Sequence, residues 1–540
     1  MLVFPASSSI AARKGVRILA DDQPQSSGIA RAAGIVAAGT SLSRVLGFAR
    51  DLVLANVLGA GASADAFFVA FKLPNFFRRM LAEGTLHAAL IPVLARAKAE
   101  GEATLAALRD SAFTAVLLVV SVLSAAGIWG MPVLLRIFAP GFVGDPERWP
   151  EALQLGRIMF PYLALIVLTA LFWAFQNAEK RFAVPAVTPA LLNVALLWAG
   201  LVVAPHVAHP AEALAWGVIA GGALQLVVQL PALARIGALP RLSLRLTNPH
   251  LIEVLRLFGP ALASIAAVQI NILVGTVLAT WLPAGAVAAL YYADRLVQLP
   301  LALFGIALST ALLPALSELY QRGAEDRAKT TLAEGLAWLV WIVLPAAAGL
   351  IWLAEPIIRT LFEHGRFTAE ASVRTAAVLA AYALGLVAYC WIKALSAACY
   401  AKKDAHAPMR YAFVGVGTNI LLAIVLMWPL EAVGLALATS IAAWVQALLL
   451  WRRVADGAPL WRRQHLMRVL RAGAAVGAML LALALFAQAW ALPEGWPGRA
   501  GWLAAACVVG ALVYLAAARA LGEKLALTRS GATRTAPSGS

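Results

Sequence analysis

Residues 41–84 read SLSRVLGFARDLVLANVLGAGASADAFFVAFKLPNFFRRMLAEG, and the character of this stretch determines what kind of protein the chain forms. It contains two apolar segments of helix length. Both segments nevertheless carry ionisable side chains, namely Arg44, Arg50, Asp51, Asp65, Lys72, Arg78, Arg79 and Glu83. The role of these charges depends on whether the surrounding helices lie in water or in lipid.

The composition of the chain places these helices in a membrane. Of its 540 residues, 62% are hydrophobic and only 13% are charged, and the mean hydropathy is +0.82. Soluble globular proteins are roughly half apolar and about a quarter charged. Apolar runs near the ~20 residues needed to cross a bilayer recur along nearly the whole length. The chain is therefore predicted to be an all-α polytopic membrane protein.

The net charge of +16 does not indicate a nucleic-acid-binding protein. The basic residues lie between and within hydrophobic segments and do not form one soluble basic face, so nucleic acid is not expected as a partner. The three cysteines, Cys390, Cys399 and Cys507, lie in apolar runs without ligand spacing. We therefore expect neither disulfides nor a metal site.

The hydrophobic pattern predicts about fourteen transmembrane helices. Their expected positions are 30–57, 63–95, 111–134, 155–177, 184–204, 211–233, 250–281, 286–317, 331–353, 372–400, 408–428, 431–451, 467–489 and 500–521. Most basic residues of the connections fall on one side of the membrane, whereas the other side carries Arg136, Arg148, Arg359, Arg366 and Arg499. Because basic loops stay in the cytoplasm, both termini are predicted to be cytoplasmic, with a disordered tail at 1–27 and a second tail at 522–540.

The first twelve predicted helices contain an internal repeat. The sequence LANVLGAG at 54–61 matches LATWLPAG at 278–285, and AEKRFAVP at 178–185 matches AKKDAHAP at 401–408. Six helices per repeat is an even number, so both repeats enter from the same side and are related by an axis along the membrane normal. This predicts an N-terminal lobe at 28–234 and a C-terminal lobe at 249–453 around a central cavity, with helices thirteen and fourteen (466–521) outside the repeat.

The charges inside the predicted helices point to a cavity. A charge at the bilayer centre costs roughly 2.5–3.5 kcal/mol on insertion scales, so such charges are expected to line water or to pair. Asp65, Lys72 and Arg79 are spaced by seven and share one helix face. Lys72 aligns with Arg295 in the repeat, which should bring these two cations toward the central axis from opposite lobes. Side chains that reach the interface from helix ends, as for Asp51, and purely structural ion pairs remain alternatives.

The balance of charge in this group favours an anionic ligand. Its cations are Arg44, Arg50, Lys72, Arg78, Arg79 and Arg295, and its fewer anions are Asp51, Asp65, Glu83 and Asp294. An arginine-rich, partly dehydrated cavity suits a phosphate or diphosphate, because the guanidinium group binds its oxygens in pairs. Pro74 and Pro300, which we expect to interrupt the second and eighth helices, are predicted hinges beside these cations.

The motifs SRVLGFARD (43–51), ADAFFVAFKLPNFFRR and LAEG on either side of Met80 (64–84), YYADRL (291–296), and LF and HGRF on either side of Glu363 (361–367) closely resemble the MurJ/MviN lipid II flippase family. That family belongs to the multidrug/oligosaccharidyl-lipid/polysaccharide exporter superfamily, and the resemblance extends over about residues 28–522. It implies a flippase of the bacterial inner membrane. The implied substrate is lipid II, undecaprenyl-diphosphate carrying the disaccharide-pentapeptide of peptidoglycan, moved from the cytoplasmic to the periplasmic leaflet by alternating access.

The resemblance also implies which residues bind substrate. Transferred by motif, they are Arg44, Arg50, Asp65, Arg78, Arg79, Glu83 and Arg295, with Asp51, Lys72 and Asp294 as supporting charges. Helices thirteen and fourteen would form a groove for the polyprenyl tail. Some family members hold sodium with carboxylates between the seventh and eleventh helices. This sequence offers only Gln269, Asn271, Thr418 and Asn419 there, so coupling to protons or to the membrane potential is at least equally compatible.

Other functions remain in competition with lipid II transport. A flippase of another polyprenyl-diphosphate oligosaccharide would need the same cavity, and a multidrug-type antiporter would share the twelve-helix core. A membrane enzyme is disfavoured, because no paired carboxylates with a nucleophile, HExxH motif or phosphate-binding glycine loop is present. No cofactor is expected. The chain is expected to act as a monomer in the lipid bilayer, and cooperation with the cell-wall synthesis machinery stays open.

Overall fold

The computed structural model describes residues 23–457 and 459–523. Within these ranges the side chains of residues 23–33, 35, 83–84, 261 and 263–272 lie outside the description. Most of the two predicted tails, 1–27 and 522–540, also falls outside it. The first helix nevertheless begins at Gln23, inside the segment for which the sequence predicts a disordered tail.

All regular secondary structure of the described residues is helical. The helices of the N-terminal lobe are α1 (Gln23–Leu58), α2 (Ala62–Leu81), α3 (His87–Glu100), α4 (Glu102–Trp129), α5 (Met131–Phe138), α6 (Arg148–Met159), α7 (Tyr162–Ala178), α8 (Ala183–Trp198), α9 (Pro210–Val227) and α10 (Gln229–Arg235). Short π-helices at Ala82–Leu86 and Ala199–Val203 and 3-10 turns at Pro140–Phe142 and Ala204–His206 connect or extend them.

The C-terminal lobe follows the same order. Its helices are α11 (Pro249–Thr280), α12 (Ala286–Pro300), α13 (Ala307–Gln321), α14 (Glu325–Trp352), α15 (Ala354–Leu361), α16 (Ala369–Ala383), α17 (Leu386–Ala401) and α18 (His406–Ala455), with a π-helix at Leu301–Ile306 between α12 and α13. Two further helices, α19 (Arg463–Ala489) and α20 (Trp496–Ala520), pack together and against α14.

The two lobes repeat each other residue for residue over long stretches. Helices α4 and α14 both have 28 residues and begin at 102 and 325, and α5 and α15 both have 8 residues and begin at 131 and 354, a spacing of 223 in each case. Lys180 and Lys403, also 223 apart, both have positive φ angles of 57° and 61°. Such a conformation costs about 1–3 kcal/mol outside glycine. Its recurrence at the same spacing confirms the repeat seen in the sequence.

Ten helices or helix pairs within the described residues are long and apolar enough to cross a membrane. One of them, α18, has 50 residues and breaks at Glu431 (φ 48°, ψ −130°), two residues after Pro429, so it contains two of the predicted spans. A Cβ on Gly434 would lie 2.1 Å from the carbonyl oxygen of Leu426, so this tight bend requires glycine there. The charged helices α1 and α2 are not among the ten. The polytopic helical fold is confirmed, while the count of fourteen stays a prediction.

The two ends of the bundle differ in how the lobes meet. We call the end with the connections 179–182, 236–248 and 402–405 the basic end, and the end with the connections 59–61 and 281–285 the opposite end. At the opposite end the Tyr292 hydroxyl donates to the carbonyl oxygen of Gly59 (3.1 Å), and the Arg366 backbone N–H donates to the carbonyl of Asn56 (3.0 Å). These contacts close the space between the lobes at that end.

At the basic end the lobes touch through α11. Arg96 of α3 forms an ion pair with Glu253 of α11. His250 Nε2 of α11 lies 3.0 Å from a carboxylate oxygen of Glu100. Arg44, which lies on the same face of α1 as Asp51, is exposed there. These ion pairs join the lobes at the basic end as well.

Candidate functional site

A buried carboxylate, Asp51, lies where α1 meets α12. Asp51 is 2% exposed, and one oxygen of its carboxylate accepts hydrogen bonds from Arg50 (2.7 Å) and from the Tyr291 hydroxyl (3.0 Å). Arg295 Nε lies 3.6 Å from the other carboxylate oxygen. Arg50 and Asp51 belong to the N-terminal lobe, and Tyr291 and Arg295 belong to the C-terminal lobe. We call these four residues the inter-lobe cluster.

Arg50 is positioned by a close contact between α1 and α8. Its Nη1 donates to Asn193 Oδ1 at 2.9 Å, and Asn193 Nδ2 donates to the carbonyl oxygen of Ser43 at 3.0 Å. The helices can approach because α1 has glycine at 39, where a Cβ would lie 2.6 Å from the carbonyl oxygen of Ala186. The motif around residues 43–51 thus orients one arginine of the cluster through backbone packing as well as charge.

Arg295 is held by an aromatic ring while part of it stays accessible. Its guanidinium carbon lies 4.6 Å from the centre of the Tyr291 ring, and that ring stacks on Phe68 of α2 with centroids 4.0 Å apart. The Arg295 side chain is 35% exposed. A cation fixed over an aromatic ring and not fully enclosed can offer its remaining N–H groups to an anion in the cavity.

A second group of charges surrounds Lys72. Its Nζ donates to Thr276 Oγ1 of α11 at 2.9 Å. Asp294, Arg295 and Arg79 lie close enough to Lys72 for electrostatic interaction with its ammonium group. Asp294 also accepts a hydrogen bond from Gln298. Lys72 and Arg295, aligned by the sequence repeat, therefore do lie in one electrostatic neighbourhood.

Asp65 lies at the closed end of the bundle and caps a helix of the other lobe. It is fully buried, and its two oxygens accept the backbone N–H groups of Gly285 (2.7 Å) and Ala288 (2.8 Å) at the start of α12. Arg148 Nη1 lies 3.9 Å from the same carboxylate and also donates to the carbonyl oxygen of Leu282 at 2.9 Å. These contacts join the lobes, and they occupy both oxygens of Asp65.

The helical stripe predicted from Asp65, Lys72 and Arg79 spans too great a height to surround one ligand group. Fourteen residues of α-helix rise about 21 Å, so Asp65 lies at the closed end while Arg79 lies toward the basic end. The spacing correctly identifies a common helix face. It does not place the three charges at one depth.

The remaining predicted site residues lie toward the basic end of α1 and α2. Arg44 is exposed. Arg78 Nε donates to Asn75 Oδ1 at 3.0 Å, and Arg79 is half-buried. The side chain of Glu83 lies outside the described residues, although its backbone belongs to the π-helix Ala82–Leu86.

The two prolines that were predicted as hinges, Pro74 and Pro300, differ in their position within the helices. Pro74 is buried inside α2, which continues to Leu81, and its role as a hinge stays a prediction. Pro300 instead ends α12 where the π-helix Leu301–Ile306 begins. In both lobes a π-helix follows the charged helix, at Ala82–Leu86 and Leu301–Ile306, so these segments mark the local change of helical geometry.

Sequence reasoning did not assign Tyr291 or Arg148. Tyr291 stands inside the quoted motif YYADRL, so the motif contained the signal, but a neutral tyrosine gives no charge to detect. Arg148 is one of the five arginines predicted on the side of the membrane that carries few basic residues, and this position is the signal that could have identified it. Of the neutral residues that stand where some family members hold sodium, Asn419 accepts from Thr439 (3.2 Å) and Thr418 donates to the carbonyl of Val414 (2.9 Å). The side chains of Gln269 and Asn271 lie outside the description.

The arrangement is suited to binding an anion between two lobes. Arginine and lysine side chains from α1, α2 and α12 lie near one another at the boundary between the lobes, and Asp51 and Asp294 neutralise them in part. Within the described residues, no three histidine, cysteine or acidic side chains are placed to hold a metal ion. Charge-assisted hydrogen bonds from guanidinium groups would recognise phosphate oxygens.

Comparison with known proteins adds independent information. The sequence model of the family described as "Lipid II flippase MurJ" matches residues 54–498. The "Lipid II flippase MurJ" of Burkholderia cenocepacia is 36% identical over 508 residues, which cover 91% of this chain and 97% of that protein. The "Probable lipid II flippase MurJ" of Vibrio cholerae is 36% identical over 510 residues, covering 91% and 96%.

Solved structures share the fold. A structure of "Lipid II flippase MurJ, inward closed conformation" superposes with a TM-score of 0.76 at 24% identity, covering 90% of this chain and 98% of that one. An inward-facing multidrug resistance MATE family transporter of the MOP superfamily superposes with a TM-score of 0.62 at 14% identity, covering 78% and 98%. At these identities the two structures establish the fold alone.

Proposed function

The chain belongs to the lipid II flippase MurJ family, and we propose on that premise that it moves lipid II from the cytoplasmic to the periplasmic leaflet by alternating access. It is a multi-pass protein of the bacterial inner membrane, and its transport step supplies peptidoglycan synthesis. The family is a transporter family and not an enzymatic one. The inter-lobe cluster is the observation that carries the mechanism, because it places arginines of both lobes on one carboxylate beneath a closed end.

The diphosphate of lipid II is the group that this cavity binds. Arg50 and Arg295 are the central ligands, and Arg44, Arg78 and Arg79 attract the headgroup from the basic end. Lys72, Asp51 and Asp294 keep the arginines oriented, and Glu83 adjusts the charge near Arg79. Hydrogen bonds to charged groups contribute about 1.5–3 kcal/mol each, so two arginines on one diphosphate provide useful selectivity over neutral lipids.

Binding and conformational change are coupled through Asp51. In the structure, Arg295 and Tyr291 approach this carboxylate across the lobe boundary. A diphosphate competes with Asp51 for the guanidinium groups of Arg50 and Arg295. The substrate thereby weakens the contacts that hold the lobes at this depth, and the closed end, including the Asp65 cap, then opens. Pro74 and Pro300 are the proposed bending points.

Orientation and architecture complete the proposal. The basic end faces the cytoplasm, as the positive-inside rule requires, and both termini are on that side. The lobes comprise residues 28–234 and 249–453. Helices α19 and α20 guide the polyprenyl tail, because exposed apolar side chains such as Leu481, Leu485 and Leu512 face outward from the pair. The protein acts as a monomer, and contacts with the cell-wall synthesis machinery are compatible with this arrangement.

Two alternatives differ in the cargo. A flippase for another polyprenyl-diphosphate oligosaccharide would use the same arginines, and only the sugar and peptide contacts would differ. A multidrug-type antiporter shares the fold, as the MATE superposition illustrates, but a surplus of cations in the cavity repels cationic drugs. The cavity charge therefore favours a lipid diphosphate.

Transport in reconstituted vesicles tests this function. The wild-type chain should flip lipid II, and Arg295→Gln should reduce binding of undecaprenyl diphosphate about 10-fold or more, since one charge-assisted hydrogen bond is lost. Arg327→Gln is the matched control, because Arg327 is an exposed cation on α14 away from the cavity. Equal flipping by Arg295→Gln at normal abundance, or transport of a cationic dye in place of lipid II, would contradict the proposal.

A further inference from the structure

A second cationic cavity lies at the basic end of α19, apart from the inter-lobe cluster. Its volume is about 700 Å³, and the charged residues that line it are Arg462, Arg463, Arg468, Arg471 and Glu523. Helices α19 and α20 pack on α14 and α15, whereas the inter-lobe cluster belongs to α1 and α12. The cavity is thus on the periphery of the C-terminal lobe, and the transport mechanism proposed above does not use it.

Two of these arginines are fixed by a buried carboxylate. Glu523 is 7% exposed and pairs with Arg468 on one oxygen, while Arg471 lies 3.9 Å from its other oxygen. The Arg468 guanidinium also lies 4.8 Å from the centre of the Trp338 ring on α14. The wall of the cavity is therefore a defined arrangement of side chains and not a set of freely moving surface cations.

The cavity keeps a surplus of positive charge. Arg462 and Arg463 are exposed, and no carboxylate among residues 23–457 and 459–523 is within ion-pair distance of either. Glu523 is shared between two arginines, and Glu334 lies near His465 of the same helix pair's first member, α19. Four guanidinium groups around one carboxylate favour a ligand with negative charge and several oxygen acceptors.

The surroundings of the cavity indicate a lipid and not a free anion. Leu466, Met467 and Leu470 alternate with the arginines on α19 and are 51%, 40% and 56% exposed. These residues precede the long apolar part of α19, so they lie at the depth where headgroups meet acyl chains. A phosphate at the arginines would place its acyl chains over these apolar side chains, whereas inorganic phosphate would leave them without a partner.

We propose that this cavity, the α19 arginine site, binds the phosphate headgroup of an anionic phospholipid from the leaflet at the basic end of the bundle. Basic pockets between membrane helices on the cytoplasmic side commonly hold anionic headgroups. The lipid phosphate would bind the arginines at the start of α19, two of which contact Glu523 just beyond α20, and so hold this helix pair against α14. The inference concerns a bulk membrane lipid, and it holds whichever lipid is transported.

Lipid binding by the purified full-length chain tests the site. In detergent, phosphatidylglycerol should bind saturably, and phosphatidylcholine should not. Replacing Arg462, Arg463 and Arg471 together by Gln should weaken phosphatidylglycerol binding on the order of 100-fold, because each basic residue near a membrane surface contributes about fivefold. Arg327→Gln combined with Lys329→Gln is the matched control, since it removes an exposed and a half-buried cation from the same end and neither lines the cavity, and it should bind like the wild type.

Further variants and competitors distinguish a phospholipid headgroup from inorganic phosphate and from undecaprenyl diphosphate. Arg468 stays unchanged in all variants because of its contacts with Glu523 and Trp338. Should the triple variant fail to fold, the pair Arg462→Gln and Arg463→Gln, which alters only exposed side chains, should still weaken binding on the order of 10-fold. Unchanged binding in a folded variant, or an equal loss in the control pair, overturns the proposal. So does competition by millimolar inorganic phosphate, or displacement of the bound phosphatidylglycerol by a lower concentration of undecaprenyl diphosphate.

Discussion

Neutralising Asp65 should open the closed end of the protein without removing a substrate ligand. In the structure each oxygen of the Asp65 carboxylate accepts one backbone N–H, from Gly285 at 2.7 Å and from Ala288 at 2.8 Å. An asparagine has only one acceptor oxygen, so Asp65→Asn leaves one of these buried donors facing an NH₂ group. Arg148, 3.9 Å from the carboxylate, loses a counter-charge as well.

The size of the effect follows from these contacts. Loss of a helix N-cap costs about 0.5–2 kcal/mol, and a buried donor left unsatisfied costs about 1–3 kcal/mol. Both figures describe the same lost hydrogen bond, and the second applies because the site is buried, so the contact between the lobes weakens by about 1–3 kcal/mol, or about 5- to 150-fold in the equilibrium between closed and open arrangements. The cost applies only to the arrangement in which Asp65 meets α12.

Labelling of a cysteine in the closed end measures this shift. Ala60 is 6% exposed, and its carbonyl oxygen lies against Gly285, so Ala60→Cys in a chain without Cys390, Cys399 and Cys507 reports on opening. A membrane-impermeant maleimide added from the periplasmic side should react about fivefold faster or more when Asp65→Asn is present. Glu212→Gln is the control, because it neutralises a carboxylate near the same end that bonds only to Gln154 among the described contacts.

The opposite result would restore the role predicted from sequence. If Asp65→Asn leaves the labelling rate unchanged but weakens binding of a diphosphate lipid, the carboxylate acts in the ligand cavity, and the structural explanation of its burial is wrong. Faster labelling in the Glu212→Gln control would show that the assay reports general loosening.

Three further perturbations test other parts of the structure. Arg79→Glu should abolish flipping at near-normal membrane abundance, because it places an anion on the path of the diphosphate; normal transport, or failure to insert, would contradict the binding role. Replacing sodium by potassium at constant ionic strength should change flipping in vesicles only slightly, since neutral oxygens such as those of Thr418 and Asn419 bind a hard cation weakly; strong sodium dependence would locate a site elsewhere. The backbone N–H of Ala407 and the guanidinium of Arg453 hold the pKa of Asp404 below its usual 3.8, so its stabilisation is complete at neutral pH and is lost as the pH falls below that value. Between neutral pH and pH ~3 the melting temperature of Asp404→Asn should therefore fall less than that of the wild type, and parallel curves would refute this assignment.

The sequence was sufficient to predict the helical membrane fold and the internal repeat. Apolar runs predicted a polytopic helical membrane protein because their length matches the bilayer. A constant offset predicted the repeat, and the structure bears this out down to the positive φ angles of Lys180 and Lys403. The prediction that Lys72 and Arg295 lie near each other followed from the same offset, because symmetry-related positions on two parallel lobes must face a common axis.

Only the tertiary structure decided which charges meet and at what depth. Helical periodicity states which face a residue occupies, but it contains no information on the helix opposite or on the height at which the two cross. Asp65 and Arg79 share a face, yet Asp65 caps α12 at the closed end, where two backbone N–H groups of the other lobe compensate its burial. Asp51, assigned only a supporting role from sequence, is the centre of the inter-lobe cluster, because Tyr291 and Arg295 reach it from a helix 240 residues away. Partners of this kind come from docking one folded lobe against another, and the free energy of that contact depends on shapes that no local stretch of sequence specifies.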